Sequence, residues 1–277
     1  MINQLYPCLW FDGKIAEATN FYCSLFKNSR KIAENNIITK FEIEGTSIKL
    51  LNGGALFKVN ASVSFFVTCE TKNEIDILWK AFLDGGKVMM NLDKYPWSEY
   101  YGWIEDKYGV TWQIFLGSLA PGSQKIIPNM LFTNNVFGRA EEAIKFYTNL
   151  FKDSSIISTD YYTESEMPYT GKLKFGSFKL NNQQFSAMDG PGDHRFEFNE
   201  GVSFIVECNN QEEVDYYWDK LSEGGYEGQC GWLKDKFGVS WQIVPIELNK
   251  LMSDPVTANK ARSAFMKMKK FIIKDLY

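Results

Sequence analysis

The chain has 277 residues, 45% hydrophobic and 16% aromatic, enough apolar material for a substantial core and too much for a disordered chain. A formal net charge of −4 gives it no basic surface with which to displace counterions, so no nucleic-acid partner is expected. No apolar run reaches the roughly 18–20 residues that cross a bilayer, and the start, MINQLYPCLWFDGK, lacks a basic stretch leading into an apolar one, so the expectation is a cytoplasmic protein with no membrane partner and no signal peptide. The five cysteines form no CxxC pair, which suits reduced thiols packed as small hydrophobes.

In chain order, residues 5–11 form a short apolar run ending at the turn signal Asp12-Gly13. Ile15, Ala18, Tyr22, Leu25 and Phe26 then share one face of a helix. Phe41 and Ile43 alternate with polar residues, Gly45-Thr46 turns the chain, and Ile48 and Leu50 alternate again, which predicts a hairpin. Residues 63–69 read as a strand. Ile75, Leu78, Trp79, Phe82 and Leu83 make a helix stripe closed by Gly85-Gly86. Residues 100–105 and 111–116 pair across Lys107-Tyr108-Gly109. After a joint at Ala120-Pro121-Gly122-Ser123, the plan recurs. It includes a hairpin of residues 175–180 and 184–188 across Asn181-Asn182, and a helix stripe of Val214, Tyr217, Trp218 and Leu221. Trp79 and Trp218 are assigned to packing. At the C-terminus, Ser253-Asp254-Pro255 reads as a helix start, with Phe265, Met268 and Ile272 at helical spacing among lysines.

The recurrence is a duplication. Residues 102–114 (GWIEDKYGVTWQI) and 231–243 (GWLKDKFGVSWQI) agree at nine of thirteen positions. Around this cassette, residues 16–29 match 141–154, residues 63–69 match 202–208, Trp79 matches Trp218, and Gly85-Gly86 matches Gly224-Gly225. The first half carries extra residues, including 87–101, and the second a longer stretch around 161–171. The expected division is a first domain at 1–120, a linker at 121–125, a second domain at 126–246 and a helical tail at 247–277. Each half reads as two βαβββ modules, so the fold class is α+β with four modules.

The FY…LF helix, the Gly-Gly after the second helix and the D-K-[YF]-G-V-x-W-Q-I ending resemble the vicinal-oxygen-chelate superfamily of glyoxalases, bleomycin-resistance proteins and extradiol dioxygenases. Within it, the chain looks like the PhnB-like branch, whose domain often carries the label 3-demethylubiquinone-9 3-methyltransferase. The resemblance spans about residues 3–246. It implies that two modules curl eight strands into an open, barrel-like cup for a small ligand. It also implies that two cups pair, within one chain here or as a homodimer. Metal-dependent relatives place one ligand on each of four strands. Carried over, those positions fall on Pro7 and Asn129, near Lys49 and Ser186, near Ser62 and Gly201, and on Gln113 and Gln242. These side chains are poor metal ligands, and the chain has a single histidine, so neither a metal nor another cofactor is expected.

Gln113 and Gln242 point into the cup by strand alternation, because Trp112, Ile114 and their counterparts point the other way. Either amide could orient a ligand oxygen. Trp10, Trp97, Tyr101 and Trp103, with Phe11 and Tyr100, are candidate aromatic walls for a planar or apolar ligand. His194 is the one candidate acid or base, with Asp189 and Asp193 near it in sequence. Asp106 and Asp235 read as turn formers. No glycine-rich turn after a strand opens a helix, so the methyltransferase label has no nucleotide-type cofactor loop behind it. Three functions follow: a metal-free small-molecule-binding protein, a metal-independent enzyme acting through His194, or a structural scaffold whose cups are filled by its own side chains.

Overall fold

A computed structural model describes residues 5–277; the first four, where the leaderless reading of the sequence begins, lie outside them. Four βαβββ modules follow one another. The first holds β1 (Leu5–Phe11), α1 (Ile15–Leu25), β2 (Ser29–Glu34), β3 (Ile38–Ile43) and β4 (Thr46–Asn52). The second holds β5 (Val63–Cys69), α2 (Lys72–Leu83), β6 (Lys87–Tyr95), β7 (Ser98–Glu105) and β8 (Thr111–Leu116). The third holds β9 (Ile126–Phe132), α3 (Ala140–Leu150), β10 (Ser155–Tyr161), β11 (Leu173–Leu180) and β12 (Gln183–Asp189). The fourth holds β13 (Val202–Cys208), α4 (Gln211–Ser222), β14 (Tyr226–Glu227), β15 (Trp232–Lys234) and β16 (Ser240–Pro245). Two helices, α5 (Ile246–Ser253) and α6 (Pro255–Phe265), follow, and a short 3-10 turn at Ile273–Leu276 comes after them. No helix of the described residues is long and apolar enough to cross a membrane.

The strands pair in a way that the repeat alone does not disclose. One sheet runs β14-β15-β16-β13-β1-β4-β3-β2 and the other β10-β11-β12-β9-β5-β8-β7-β6. Each therefore takes four strands from each half of the chain. The first and fourth modules build a terminal sheet, joined where β1 lies antiparallel to β13. The second and third build a central sheet, joined where β5 lies antiparallel to β9. The expectation that each half curls its own eight strands into a cup is corrected accordingly: the modules that share a cup come from opposite halves.

Both sheets curl. Neighbouring strands lie about 4.8 Å apart, so residues three strands apart in a flat sheet stand about 14 Å from one another. Yet the Trp10 ring on β1 and the Trp232 ring on β15 have centroids 5.9 Å apart, and the Phe66 ring on β5 meets Phe175 on β11 at 5.8 Å. Burial alternates along the strands. β3 and β4 bury Thr39, Phe41, Ile43, Ile48 and Leu50, while the intervening residues, Lys40 and Lys49 among them, stay half-buried. The buried set packs under the helices, and the half-buried set lines the concave face.

The duplicated cassette builds one strut per half. Asp106 Oδ2 accepts from the Tyr22 hydroxyl at 2.8 Å and the Trp112 indole at 2.9 Å, and Oδ1 accepts from the backbone of Tyr108 and Val110. Asp235 does the same with Tyr147, Trp241, Phe237 and Val239. The carboxylate thus ties the first helix of a half to that half's last hairpin, linking two modules that belong to different sheets. Asp106 and Asp235 form turns, as expected, but each is also a buried four-bond acceptor. Burial pushes both carboxyls up to about 6 even though the four donors pull the other way.

Three local expectations change. Residues 87–101 are no loose insertion: they supply β6 and the start of β7, a long hairpin where the fourth module has only the two-residue β14. Strand β2 escaped the reading because nearly all its residues are exposed, leaving no alternation to detect. The tail helix begins as predicted, with Pro255 in its first turn and Asp254 Oδ1 accepting from Val256 N at 2.9 Å. It ends at Phe265, however, and Met268 and Lys269 instead offer backbone carbonyls to Cys230 N and Gly231 N. The Phe271 ring then occupies the space where a Cβ on Gly231 would sit, as Trp79 does for Gly102.

Candidate functional site

The strand registers place four equivalent residues on each concave face. In the central cup, Asn129 lies opposite Ser186 on one side and Ser64 on the other, and Gln113 stands beside Phe66. In the terminal cup, Cys8 lies opposite Lys49 and Ser203, and Gln242 stands beside Ile205. Cys8, not Pro7, is therefore the counterpart of Asn129. Pro7 pairs with Phe204 in the opposite, helix-facing phase of the alternation. Likewise Ser64 and Ser203, two residues beyond Ser62 and Gly201, occupy the fifth-strand position. A one-residue slip of register turns a side chain to the other face, so this correction decides which groups face the ligand space.

In the central cup the four side chains form one hydrogen-bonded network. Gln113 Nε2 donates to Ser64 Oγ at 2.8 Å, Asn129 Nδ2 donates to the same oxygen at 3.4 Å, and Ser186 Oγ donates to Asn129 Oδ1 at 3.0 Å. The Tyr101 hydroxyl donates to Gln113 Oε1 at 2.5 Å, so the amide is held at both ends. Burial pushes the Tyr101 phenol far above its ordinary range, which keeps it a donor at any physiological pH. Above this floor, Tyr95 and Trp97 stack at 5.0 Å, and both meet the edge of Tyr101. Trp97 is 59% exposed at the tip of the β6–β7 hairpin and forms a rim. Trp103 pairs directly with Gln113 across β7 and β8. Its indole N–H is buried and has no hydrogen-bond partner among the described residues.

The terminal cup has different chemistry at the same four positions. Gln242 Nε2 donates to Ser203 Oγ at 2.8 Å, repeating the Gln113–Ser64 bond. Cys8 and Lys49 replace Asn129 and Ser186. Burial pushes the Cys8 thiol up, while the Lys49 charge and hydrogen bonds with Gln242 and Ser203 oppose the rise. Tyr6, one step along β1's inward face, donates to Glu207 at 2.6 Å, and Lys40 sits 3.9 Å over the Tyr6 ring and 3.4 Å from Glu207. Trp10 donates to Gly54 O at 2.7 Å and packs edge-on against Phe57 and Trp232.

The aromatic candidates are thus divided. Trp97, Tyr101 and Trp103 share the central cup with Gln113, while Trp10 lines the terminal cup with Gln242. Phe11 is buried in the core against Tyr108, and Tyr100 turns outward to Asp76. His194 lies in the loop between β12 and β13, where its Nε2 faces Pro191 O at 3.1 Å and its backbone N donates to Asn134. Asp189 does not orient it: both Asp189 oxygens accept backbone N–H groups, from Gly138, Ala140 and Leu173. Asn129 and Ser186 sit at positions the family resemblance implies, and the Gln113–Ser64 and Gln242–Ser203 bonds form within a half; cross-half register adds the Cys8–Ser203 and Asn129–Ser64 contacts, which no local pattern discloses.

A metal does not fit either floor. Asn, Ser, Ser and Gln offer no carboxylate, imidazole or thiolate, and the other cup pairs its single thiol with an ammonium. Among the described residues no three His, Cys, Asp or Glu side chains cluster in a way that could hold an ion.

Comparison with known proteins places this architecture. The family described as 3-demethylubiquinone-9 3-methyltransferase matches twice, at residues 3–115 and 124–244. A putative 3-demethylubiquinone-9 3-methyltransferase, PhnB protein, from Bacillus cereus is 33% identical over 40% of this chain and 98% of its own, with a TM-score of 0.39. Glyoxalase I from Zea mays covers 91% of this chain and 97% of its own at 9% identity and a TM-score of 0.57, a likeness of fold alone. A putative dioxygenase from Bacillus subtilis covers 86% and 84% at 11% identity, with a TM-score of 0.50. No curated protein matches.

Proposed function

The chain belongs to the 3-demethylubiquinone-9 3-methyltransferase family, a PhnB-like branch of the vicinal-oxygen-chelate superfamily, and we propose that it is a small-molecule-binding protein whose central cup takes a planar ring compound bearing a carbonyl oxygen. One observation carries the reading: the buried Trp103 N–H, without a partner among the described residues, set beside a Gln113 amide that Tyr101 and Ser64 already hold. A buried donor left unmade costs about 1–3 kcal/mol, and a ligand acceptor recovers it. The stacked Tyr95–Trp97 pair and the Tyr101 edge suit a flat, mostly apolar body. The floor is uncharged, so the ligand is neutral at that end. Asn129, Ser64, Ser186 and Gln113 include no acid or base that changes charge near neutral pH, which favours binding over the enzyme reading, and His194 is engaged elsewhere.

The test is quenching of tryptophan fluorescence by 1,4-naphthoquinone as the probe. The expected result is saturable quenching that weakens about tenfold in Trp103→Phe and in Gln113→Leu, with His194→Ala unchanged. Equal binding by the two cup variants and the parent protein would remove the central cup as the site, and loss of binding in His194→Ala would favour the enzyme reading.

A further inference from the structure

We infer that the terminal cup is a second site of a different class, one that takes a small aromatic carboxylic acid. Its charges have been counted by the fold. On or beside the concave face, Glu207 is matched by Lys40 and Tyr6, Glu42 by Arg30 at 3.1 Å, and Glu200 by Lys234 at 3.1 Å. Lys49 is the cation left over. Among the described residues it has neither an ion pair nor a hydrogen bond, although it is half-buried and stands opposite Cys8 in the ladder. A half-buried ammonium without a counter-charge has lost hydration and gained nothing for it, and an entering carboxylate supplies what is missing.

The neighbours fix what else the ligand must be. Gln242 reaches the same floor with its amide anchored on Ser203, so it can add a hydrogen bond to the carboxylate. Trp232 pairs with Gln242 across β15 and β16, and Trp10 lies two residues along β1 from Cys8, so both indoles face the space above Lys49. Their T-shaped contact at 5.9 Å makes an aromatic wall at one end of the cup. An acid head with a flat body matches the pair of features; a neutral ring leaves the ammonium bare. The central cup has Ser186 where Lys49 stands, so the two sites discriminate by charge.

The experiment is fluorine NMR of 4-fluorobenzoate and 4-fluorobenzamide with the full chain. The acid should bind about tenfold more tightly than the isosteric amide, the gain of a charge-assisted bond over a neutral one. Lys49→Gln should erase the preference, Lys49→Arg should keep it, and His194→Ala, in the β12–β13 loop outside both cups, should leave it unchanged. Equal binding of acid and amide, a preference that survives Lys49→Gln, or no binding of either probe would overturn the inference. The Lys49 variants alter only the terminal cup, and the naphthoquinone titration reads the central cup separately.

Discussion

The two cups share a frame and differ in what the frame presents. Behind the sheets, the struts are interchangeable: Asp106 with Tyr22 and Trp112, Asp235 with Tyr147 and Trp241, bond for bond. On the floors, the Gln–Ser bond persists, but Asn129 and Ser186 in one cup are Cys8 and Lys49 in the other. Residues that hold modules together have kept their identity after duplication, whereas two of the four floor positions that face the ligand space have not. The same backbone geometry therefore offers a neutral hydrogen-bonding floor in one cup and a cationic one in the other.

The most damaging way to probe this comparison is at the struts. Asp235→Ala leaves the buried Tyr147 hydroxyl and Trp241 N–H without their acceptor, and the expected loss is about 3–5 kcal/mol by urea unfolding. Asp106→Ala should cost a similar amount. A strut that costs less than about 1 kcal/mol would show that the two halves are not framed alike.

The pH dependence follows from the same carboxyls. Their folded value near 6 lies above the ordinary 3.8. The folded state therefore binds the proton more readily than the unfolded chain. The stabilisation this brings is complete below about pH 4 and is lost as pH rises through about 6, on the order of 3 kcal/mol for each aspartate. Carbon-13 carboxyl titration should show two aspartates moving together near pH 6. Ordinary values near 4 for both would remove the effect.

The smallest and most discriminating effect concerns the tryptophans. Trp10→Phe breaks the bond to Gly54 O and should cost about 1 kcal/mol. Trp103→Phe removes an N–H that has no partner among the described residues, so no hydrogen bond is lost and the ligand-free protein should lose less stability than in Trp10→Phe. Thermal unfolding of the two variants side by side gives the order, and a larger loss from Trp103→Phe would mean that its N–H is satisfied in solution.

Local features of the fold were readable from the chain because they are written in local periodicity. The helix stripes, the hairpins and the inward direction of Gln113 and Gln242 all follow from spacing and alternation. Pairing across halves does not. The duplicated halves present near-equivalent edges, so sequence cannot say whether β1 seeks β5 or β13, and that choice alone brings Cys8 to Ser203 and Asn129 to Ser64. Trp10 and Trp103 therefore looked like neighbours in one half and stand in different cups. The β6–β7 hairpin reads as an insertion because the second half has only the two-residue β14 at the same place. His194 drew notice as the lone histidine, and only the structure shows its ring turned to a loop carbonyl.

The central claim is that each cup joins modules from opposite halves, and a cross-link tests it most directly. Cys8 lies opposite Ser203 in an antiparallel ladder, where Cα atoms are about 4.5–5.5 Å apart, within the span of a disulfide. Oxidised Ser203→Cys protein should yield a single peptide pair linking Cys8 to position 203, one from each half, with the chain still folded. A chain that never forms this link under oxidation, or that couples Cys8 only to cysteines of its own half, would contradict the shared cups.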